Sequence, residues 1–186
     1  MQARIKIIFA AALLAGFLAG CNAEDSPTNG TTMKLQVTST AFAEGQPIPS
    51  RQAYDQQDIS PALQWSGVPP TAKSLALICD DPDAPVGTWV HWVLYDLPPV
   101  GTGLAEGLPK SPELPNGAKQ GINDYKKIGY GGPCPPPGKP HRYFFKLYAL
   151  DTMPNLQPGA AKKDLLKAME GHVLAEGQLM GTYQRK

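Results

Sequence analysis

A chain of 186 residues with 42% apolar and 18% charged side chains can bury one core and carry appendages, so global disorder is not expected. Seventeen Lys and Arg against 16 Asp and Glu give a formal net charge of +1, which argues against a strongly basic nucleic-acid binder and against a highly acidic protein. Twenty prolines and 19 glycines point to a loop-rich, β-rich fold rather than a helical bundle.

The first segment reads as an address rather than as part of the fold. "MQARIKIIFAAALLAGFLAGC" has a short basic region with Arg4 and Lys6, then an apolar run from Ile7 to Ala19. That run falls short of the about 20 residues a membrane-spanning helix needs. It closes on Leu18-Ala19-Gly20-Cys21, which resembles the bacterial lipobox. The resemblance implies cleavage of residues 1–20 as a lipoprotein signal peptide and lipidation of Cys21. The competing reading is an ordinary secretory signal with a chance cysteine. The expected location is therefore the cell membrane or outer membrane, lipid-anchored and outside the cytoplasm. Asn22 carries no Asp-type retention signal, which favours the outer membrane where a cell has one. Residues 21–32 read as the lipidated Cys and a polar, turn-rich tether.

Residues 33–186 read as one domain without internal repeat. "MKLQVTSTAF" alternates and is rich in β-branched residues, "PALQW" is a short strand, and "SLALICD" is a nearly continuous apolar run expected to be a central strand. "HWVLYDL" and "YFFKLYAL" are further strands. "AAKKDLLKAMEGH" carries Leu165, Leu166 and Met169 at helical spacing, with Gly171 as a C-terminal stop. "VLAEGQLMGTY" returns to a strand pattern. The order favours an antiparallel β-sandwich with a few peripheral helices.

Two segments concentrate chemistry. In "DDPDAP", Pro82 and Pro85 hold a turn at a strand end, and Asp80, Asp81 and Asp83 sit on it. Turn capping suffices for Asp80 and Asp83; Asp81 is the candidate for a pocket role. In "TWVHWVL", strand alternation puts Trp89 and His91 on one face and Val90 and Trp92 on the other. In "GYGGPCPPPGKPHRYFFKLYAL", His141 shares a face with Tyr143, and Arg142 points away. The prolines restrict this loop before any ligand arrives, and Gly129, Gly131 and Gly132 allow a close backbone approach and positive φ.

"DDPDAP…WVHWVLYDL" and "GYGGPCPPPGKPHRYFFKLYAL", with "ISPALQW" upstream and "EGQLMGTY" at the end, resemble the signature regions of the phosphatidylethanolamine-binding protein family, in its bacterial Raf-kinase-inhibitor-like branch. The resemblance covers about residues 33–184. It implies a β-sandwich with a small cavity for anions such as phosphate head groups. It carries the ligand-binding role onto Asp81, His91, His141 and Tyr143, with Gly131, Gly132 and Pro133 in the cavity wall. His91 and His141 would donate N–H and Tyr143 its O–H. Asp81 would either accept from one imidazole, fixing its tautomer and favouring its charged form, or be protonated and donate. Tyr54 and Asp58 stand where relatives often show Cys and Asn, which argues against the disulfide to that loop that the resemblance would otherwise imply.

The expected function is non-catalytic binding of a small anion or lipid head group at the cell envelope, with contact to the membrane through the lipid anchor. Neither a cofactor nor a metal is expected, nor nucleic acid. A homodimer and a protein partner stay open. The alternatives are an inhibitor module acting on a protease or signalling partner, and a metal-dependent hydrolase using Asp81, His91 and His141. Cys79 and Cys134 are the two thiols left after lipidation, and whether they pair is open.

Overall fold

The computed structural model describes residues 33–185; residues 1–32, read above as a signal peptide, lipidated Cys21 and tether, lie outside the described residues. In chain order the elements are β1 (Met33–Lys34), β2 (Gln36–Thr38), a short 3-10 helix (Ser50–Gln52), β3 (Leu63–Ser66), β4 (Ser74–Asp81), β5 (Trp89–Leu97), β6 (Gly103–Leu104), β7 (Lys119–Gln120), β8 (His141–Leu150), α1 (Lys162–Met169) and β9 (Val173–Tyr183). They form a six-stranded sheet in the order β1-β9-β8-β4-β5-β7 and a three-stranded sheet in the order β2-β3-β6. Every neighbouring pair is antiparallel except β1 and β9.

The apolar run of β4 is explained by its place in the layers. Leu75, Leu77 and Cys79 face the small sheet and join Val37, Leu63, Trp65, Phe145 and Leu147 in the main core. Ala76 and Ile78 face the opposite way and pack with Val93, Tyr95, Leu165 and Met169 under α1. A strand buried on both faces has no polar alternate positions to show. β8 alternates because only one of its faces is fully covered: Tyr143, Phe145 and Leu147 are buried, whereas Phe144, Lys146 and Tyr148 are half-buried.

α1 occupies eight residues of the helical segment read from the sequence. Asp164 Oδ2 accepts from the Ala161 N–H at 3.2 Å and closes its first turn. Gly171, at φ +77°, follows the last cap residue and releases the chain into β9. A buried carboxylate fastens the helix to the sheet. Asp80, 1% exposed, lies 3.0 Å from Lys146 Nζ on β8 and 2.5 Å from Lys162 Nζ on α1. The two-residue strands β6 and β7 leave no periodic trace in the sequence, because two residues cannot show a period of two.

The helix has one buried stripe, and it excludes Leu166. Leu165 is 0% exposed and Leu166 is 43% exposed, although both fit the apolar spacing. Leu165→Ala is expected to lower unfolding free energy by about 2–5 kcal/mol through lost transfer energy and a residual cavity. Leu166→Ala should stay within about 0.5 kcal/mol of the parent. Urea titrations followed by circular dichroism measure both; equal losses would show that the stripe has been misassigned.

Candidate functional site

Two strand ends and two loops converge beside the end of β4. Asp81 pairs with Trp89 and Asp80 with Val90, but Cys79 pairs with Trp92, so β5 carries one extra residue at His91. This bulge corrects the simple alternation. Trp89 and His91 do share the sandwich side, and Val90 does lie on the α1 side. Trp92, however, is also on the sandwich side, in the main core, with its indole N–H donated to Gln120 Oε1 at 2.9 Å. β8 behaves as read. His141 and Tyr143 face inward, and Arg142 turns outward to grip Asp83 with its Nε and Nη2 at 2.9 and 2.7 Å. That pairing, led by the guanidinium hydrogen bonds, holds the Asp83 carboxyl down to about 2.

These strands enclose a cavity of about 260 Å³. Asp81, His91, His141 and Tyr143 all line it. Asp81 is 3% exposed; its Oδ1 accepts from the Asp83 N–H and its Oδ2 from His141 Nδ1, both at 2.8 Å. Asp81 thus orients His141 as an acceptor. His91 Nδ1 donates to the Gly131 carbonyl at 2.7 Å. Burial lowers the His91 pKa, outweighing the raising effects of the Gly131 carbonyl and the Asp81 charge, and so favours the neutral ring. Each ring is thus held through its Nδ1, with the Gly132 backbone also close to His91.

Two further donors lack a close partner among the described residues. Trp89 Nε1 and Tyr143 Oη are buried without a hydrogen bond of 3.5 Å or less, the Asp81 carboxylate being within electrostatic reach of Tyr143, and both residues line the cavity. Burial, seconded by the Asp81 charge, pushes the Tyr143 phenol far above its ordinary range, so it stays a neutral donor. A larger open groove of about 1280 Å³ along β1, β2 and β9 contains neither histidine nor a buried donor without a close partner, and gives no comparable chemistry.

The proline loop is a wall, but its parts divide the work differently from the sequence reading. Cys134, Pro135 and Pro136 line the cavity, whereas Gly131, Gly132 and Pro133 stand behind it as buried supports. Of Gly129, Gly131 and Gly132 only Gly129 has a positive φ, +85°. Gly131 and Gly132 are glycine because protein atoms, not a ligand, come too close. A Cβ on Gly131 would meet the Tyr125 ring at 2.6 Å, and one on Gly132 would meet the Gln52 carbonyl at 1.9 Å. Pro133 offers its carbonyl to the Tyr54 N–H at 3.0 Å.

Tyr54 and Tyr125 are wall residues that the sequence reading did not place in the site. Their rings stack 4.0 Å apart at 11°, Tyr125 donates to the Gly132 carbonyl at 3.1 Å, and Lys127 Nζ donates to the Tyr54 hydroxyl at 2.9 Å. Asp58 accepts from the Gly132 N–H at 2.7 Å and pairs with Lys110. Both departures, Tyr54 and Asp58, are therefore built into the wall. Cys79 and Cys134 are free thiols; the first is buried in the core and the second borders the cavity.

Residues 38–184 match the family model described as phosphatidylethanolamine-binding protein. The chain belongs to this family. A UPF0098 protein of Methanothermobacter thermautotrophicus is 56% identical over 151 residues, which are 81% of this chain and 99% of that one. A UPF0098 protein of Aquifex aeolicus is 49% identical over 81% of this chain and 89% of its own. A phosphatidylethanolamine-binding protein homologue from Chlamydia trachomatis superposes with a TM-score of 0.75 at 45% identity, covering 82% of this chain and 99% of that one. Escherichia coli YbcL, described as a member of the mammalian family, gives 0.77 at 33% identity over 82% and 99%. The β-rich fold is the family's own, and its members are in general ligand-binding or regulatory and non-catalytic.

Gly132→Ala is expected to destabilise the domain by about 1–3 kcal/mol, because the added methyl must displace the Gln52 and Tyr54 backbone. Urea titration reads this out. An unchanged midpoint would show that the Gln52 segment is not locked against the proline loop.

Proposed function

We propose that the domain is a non-catalytic binding protein for a small phosphate-like anion or lipid head group, held at the cell envelope by lipid on Cys21. The observation that carries this reading is the pair of buried donors without a close partner, Trp89 Nε1 and Tyr143 Oη, lining a cavity with His91 and His141. A buried donor without a partner costs about 1–3 kcal/mol, and an anion rich in acceptor oxygens would recover that cost. Asp81, His91, His141 and Tyr143 are assigned to the ligand. Gly131, Gly132 and Pro133 support the wall that Cys134, Pro135 and Pro136 present.

Among the described residues no Lys or Arg lines the cavity, so positive charge toward an anion comes from an imidazole. Burial lowers the His91 pKa and favours the neutral ring, and a bound anion favours the charged ring. The pKa therefore rises on binding, and proton uptake accompanies the ligand. Affinity is greatest below the free-state pKa, which is under 6.5, and is lost as pH climbs through the bound-state value. A hydrolase reading lacks a matching arrangement. Neither His91 nor His141 hydrogen-bonds a hydroxyl or thiol, and no three His, Cys, Asp or Glu side chains among the described residues are grouped to hold a metal ion.

Calorimetric titration of residues 22–186 with phosphate and phosphoethanolamine across about pH 5–8 tests the site. His91→Ala and His141→Ala should each cost roughly 1.5–3 kcal/mol of binding. His172→Ala should be neutral, because His172 is exposed and bonds Asp151. Asp81→Asn should lose less than Asp81→Ala, since the amide oxygen still accepts from His141. Affinity that is flat with pH and indifferent to both histidines would remove them from the site.

The address has its own test. Cells fed an alkyne fatty acid should label the protein, and Cys21→Ser should abolish the label. Lipid retained on the Cys21→Ser chain, or never found on the parent, would end the lipoprotein reading.

A further inference from the structure

The two cavity histidines are held in different ways. His141 Nδ1 meets the Asp81 carboxylate directly at 2.8 Å. His91 Nδ1 meets a backbone carbonyl, that of Gly131, at 2.7 Å. A carbonyl can only accept, so the neutral His91 ring carries its proton on Nδ1. The same peptide group has a second partner on its other side. The Gly131 carbonyl and the Gly132 N–H belong to one peptide bond, and that N–H donates to Asp58 Oδ1 at 2.7 Å. A carboxylate, a peptide and an imidazole therefore stand in one hydrogen-bonded row. Asp58 is to His91, through one peptide, what Asp81 is to His141 by direct contact.

Each member of the row is locked. The Gly131 N–H donates to the His91 carbonyl at 2.9 Å, so His91 holds Gly131 from both sides. Gly132 has no room to shift: a Cβ there would meet the Gln52 carbonyl at 1.9 Å and the Tyr54 nitrogen at 2.8 Å. Asp58 has a positive φ of +54°, a conformation that Asp and Asn tolerate better than other residues with a side chain. Its own N–H donates to the Ala53 carbonyl at 3.1 Å, and its second oxygen pairs with Lys110. Neither Asp58 nor Lys110 lines the cavity, so their effect on a ligand is indirect.

We propose that Asp58 is a positioning residue for the cavity: its carboxylate polarises the Gly131–Gly132 peptide, strengthens the Gly131 carbonyl as an acceptor, and so fixes the Nδ1 proton and the ring plane of His91. The consequence for binding rests on the anion reading given above. Hydrogen bonds in a chain polarise one another, and a charged end member strengthens the row. The Asp58 charge also favours imidazolium over imidazole. Asp81 from β4 and Asp124 from the turn before Tyr125 act in the same direction, against burial. From β8, His141 lines the same cavity, bound to Asp81. The Tyr125 and Tyr143 rings lie 5.7 and 5.1 Å from His91, and burial keeps both phenols neutral. Lys110 partly offsets Asp58. An amide at position 58 would keep the acceptor and lose the charge.

The test uses residues 22–186, a fair unit because the Methanothermobacter thermautotrophicus relative is matched over 99% of its own length by 81% of this chain. The chain has 3 histidines, so long-range proton–nitrogen spectra, assigned with single His→Ala variants, read each ring separately. Asp58→Asn should keep the His91 proton on Nδ1 but move its resonance upfield. It should also lower the His91 titration midpoint by about half a pH unit or more. Affinity for inorganic phosphate on the alkaline side of that midpoint should fall about threefold with it. Lys110→Gln breaks the same ion pair but leaves the row and its charge whole, so it should move the midpoint upward. Equal changes in the two variants would reduce Asp58 to a structural ion pair and overturn the proposal. So would a His91 resonance indifferent to Asp58→Asn. Should Asp58→Asn fail to fold, Lys110→Gln decides alone, and an unmoved or lowered midpoint counts against the row. Phosphate binding with an indifferent His91 resonance overturns the row and leaves the anion reading. The His91 response without phosphate binding does the reverse.

Discussion

Two adjacent carboxylates at the end of one doubly buried strand organise this domain. Asp80 and Asp81 follow each other on β4, so the pleat sends them to opposite faces of the large sheet. Asp80 receives Lys146 and Lys162 and binds the helix layer to the sheet. Asp81 receives His141 and the Asp83 backbone and fixes the floor of the cavity. Burying a charge is costly unless it is paired and hydrogen-bonded, and both carboxylates meet that condition. The same strand therefore ends the core and begins the site.

From that point the cavity is made by packing rather than by flexible loops. Gly132 lies against the Gln52 backbone, Tyr125 against Gly131, and Tyr54 on Tyr125. The Gln52–Gly132 and Tyr54–Tyr125 contacts join segments far apart in the chain, and together these contacts hold Cys134, Pro135 and Pro136 as a wall. What the packing leaves unsatisfied is confined to few atoms. Of the three buried side-chain atoms without partners among the described residues, Trp89 Nε1 and Tyr143 Oη belong to the cavity, and Gln52 Oε1 lies outside its lining.

The electrostatics follow from the same burial. His91 is pushed toward its neutral form and Tyr143 is kept protonated, while the nearest strong cations point elsewhere. Arg142 is committed to Asp83, Lys110 to Asp58, and Lys127 to the Tyr54 hydroxyl. The cavity built this way is polar at its floor, where Asp81, His91 and His141 meet.

Much of this was legible in the chain itself. The unbroken apolar run of "SLALICD", the alternation of "YFFKLYAL", the helical spacing ending at Gly171 and the span of β9 all reflect local periodicity, which backbone geometry makes visible. So was the pairing of His141 with Tyr143 on one face, two residues apart on a regular strand. The bulge at His91 was not legible, because it exists only in the register between β5 and β4, and it moved Trp92 to the side the alternation denied it. Tyr54, Tyr125 and Asp58 gave no signal either, since a stacked pair separated by 71 residues has no sequence period. The glycines were recognised as necessary for a close approach, but only tertiary structure showed that the approaching group is Gln52 or Tyr125 rather than a ligand. Sequence determined which side chains could face the site; the meeting of distant segments decided which of their polar atoms were left free to use.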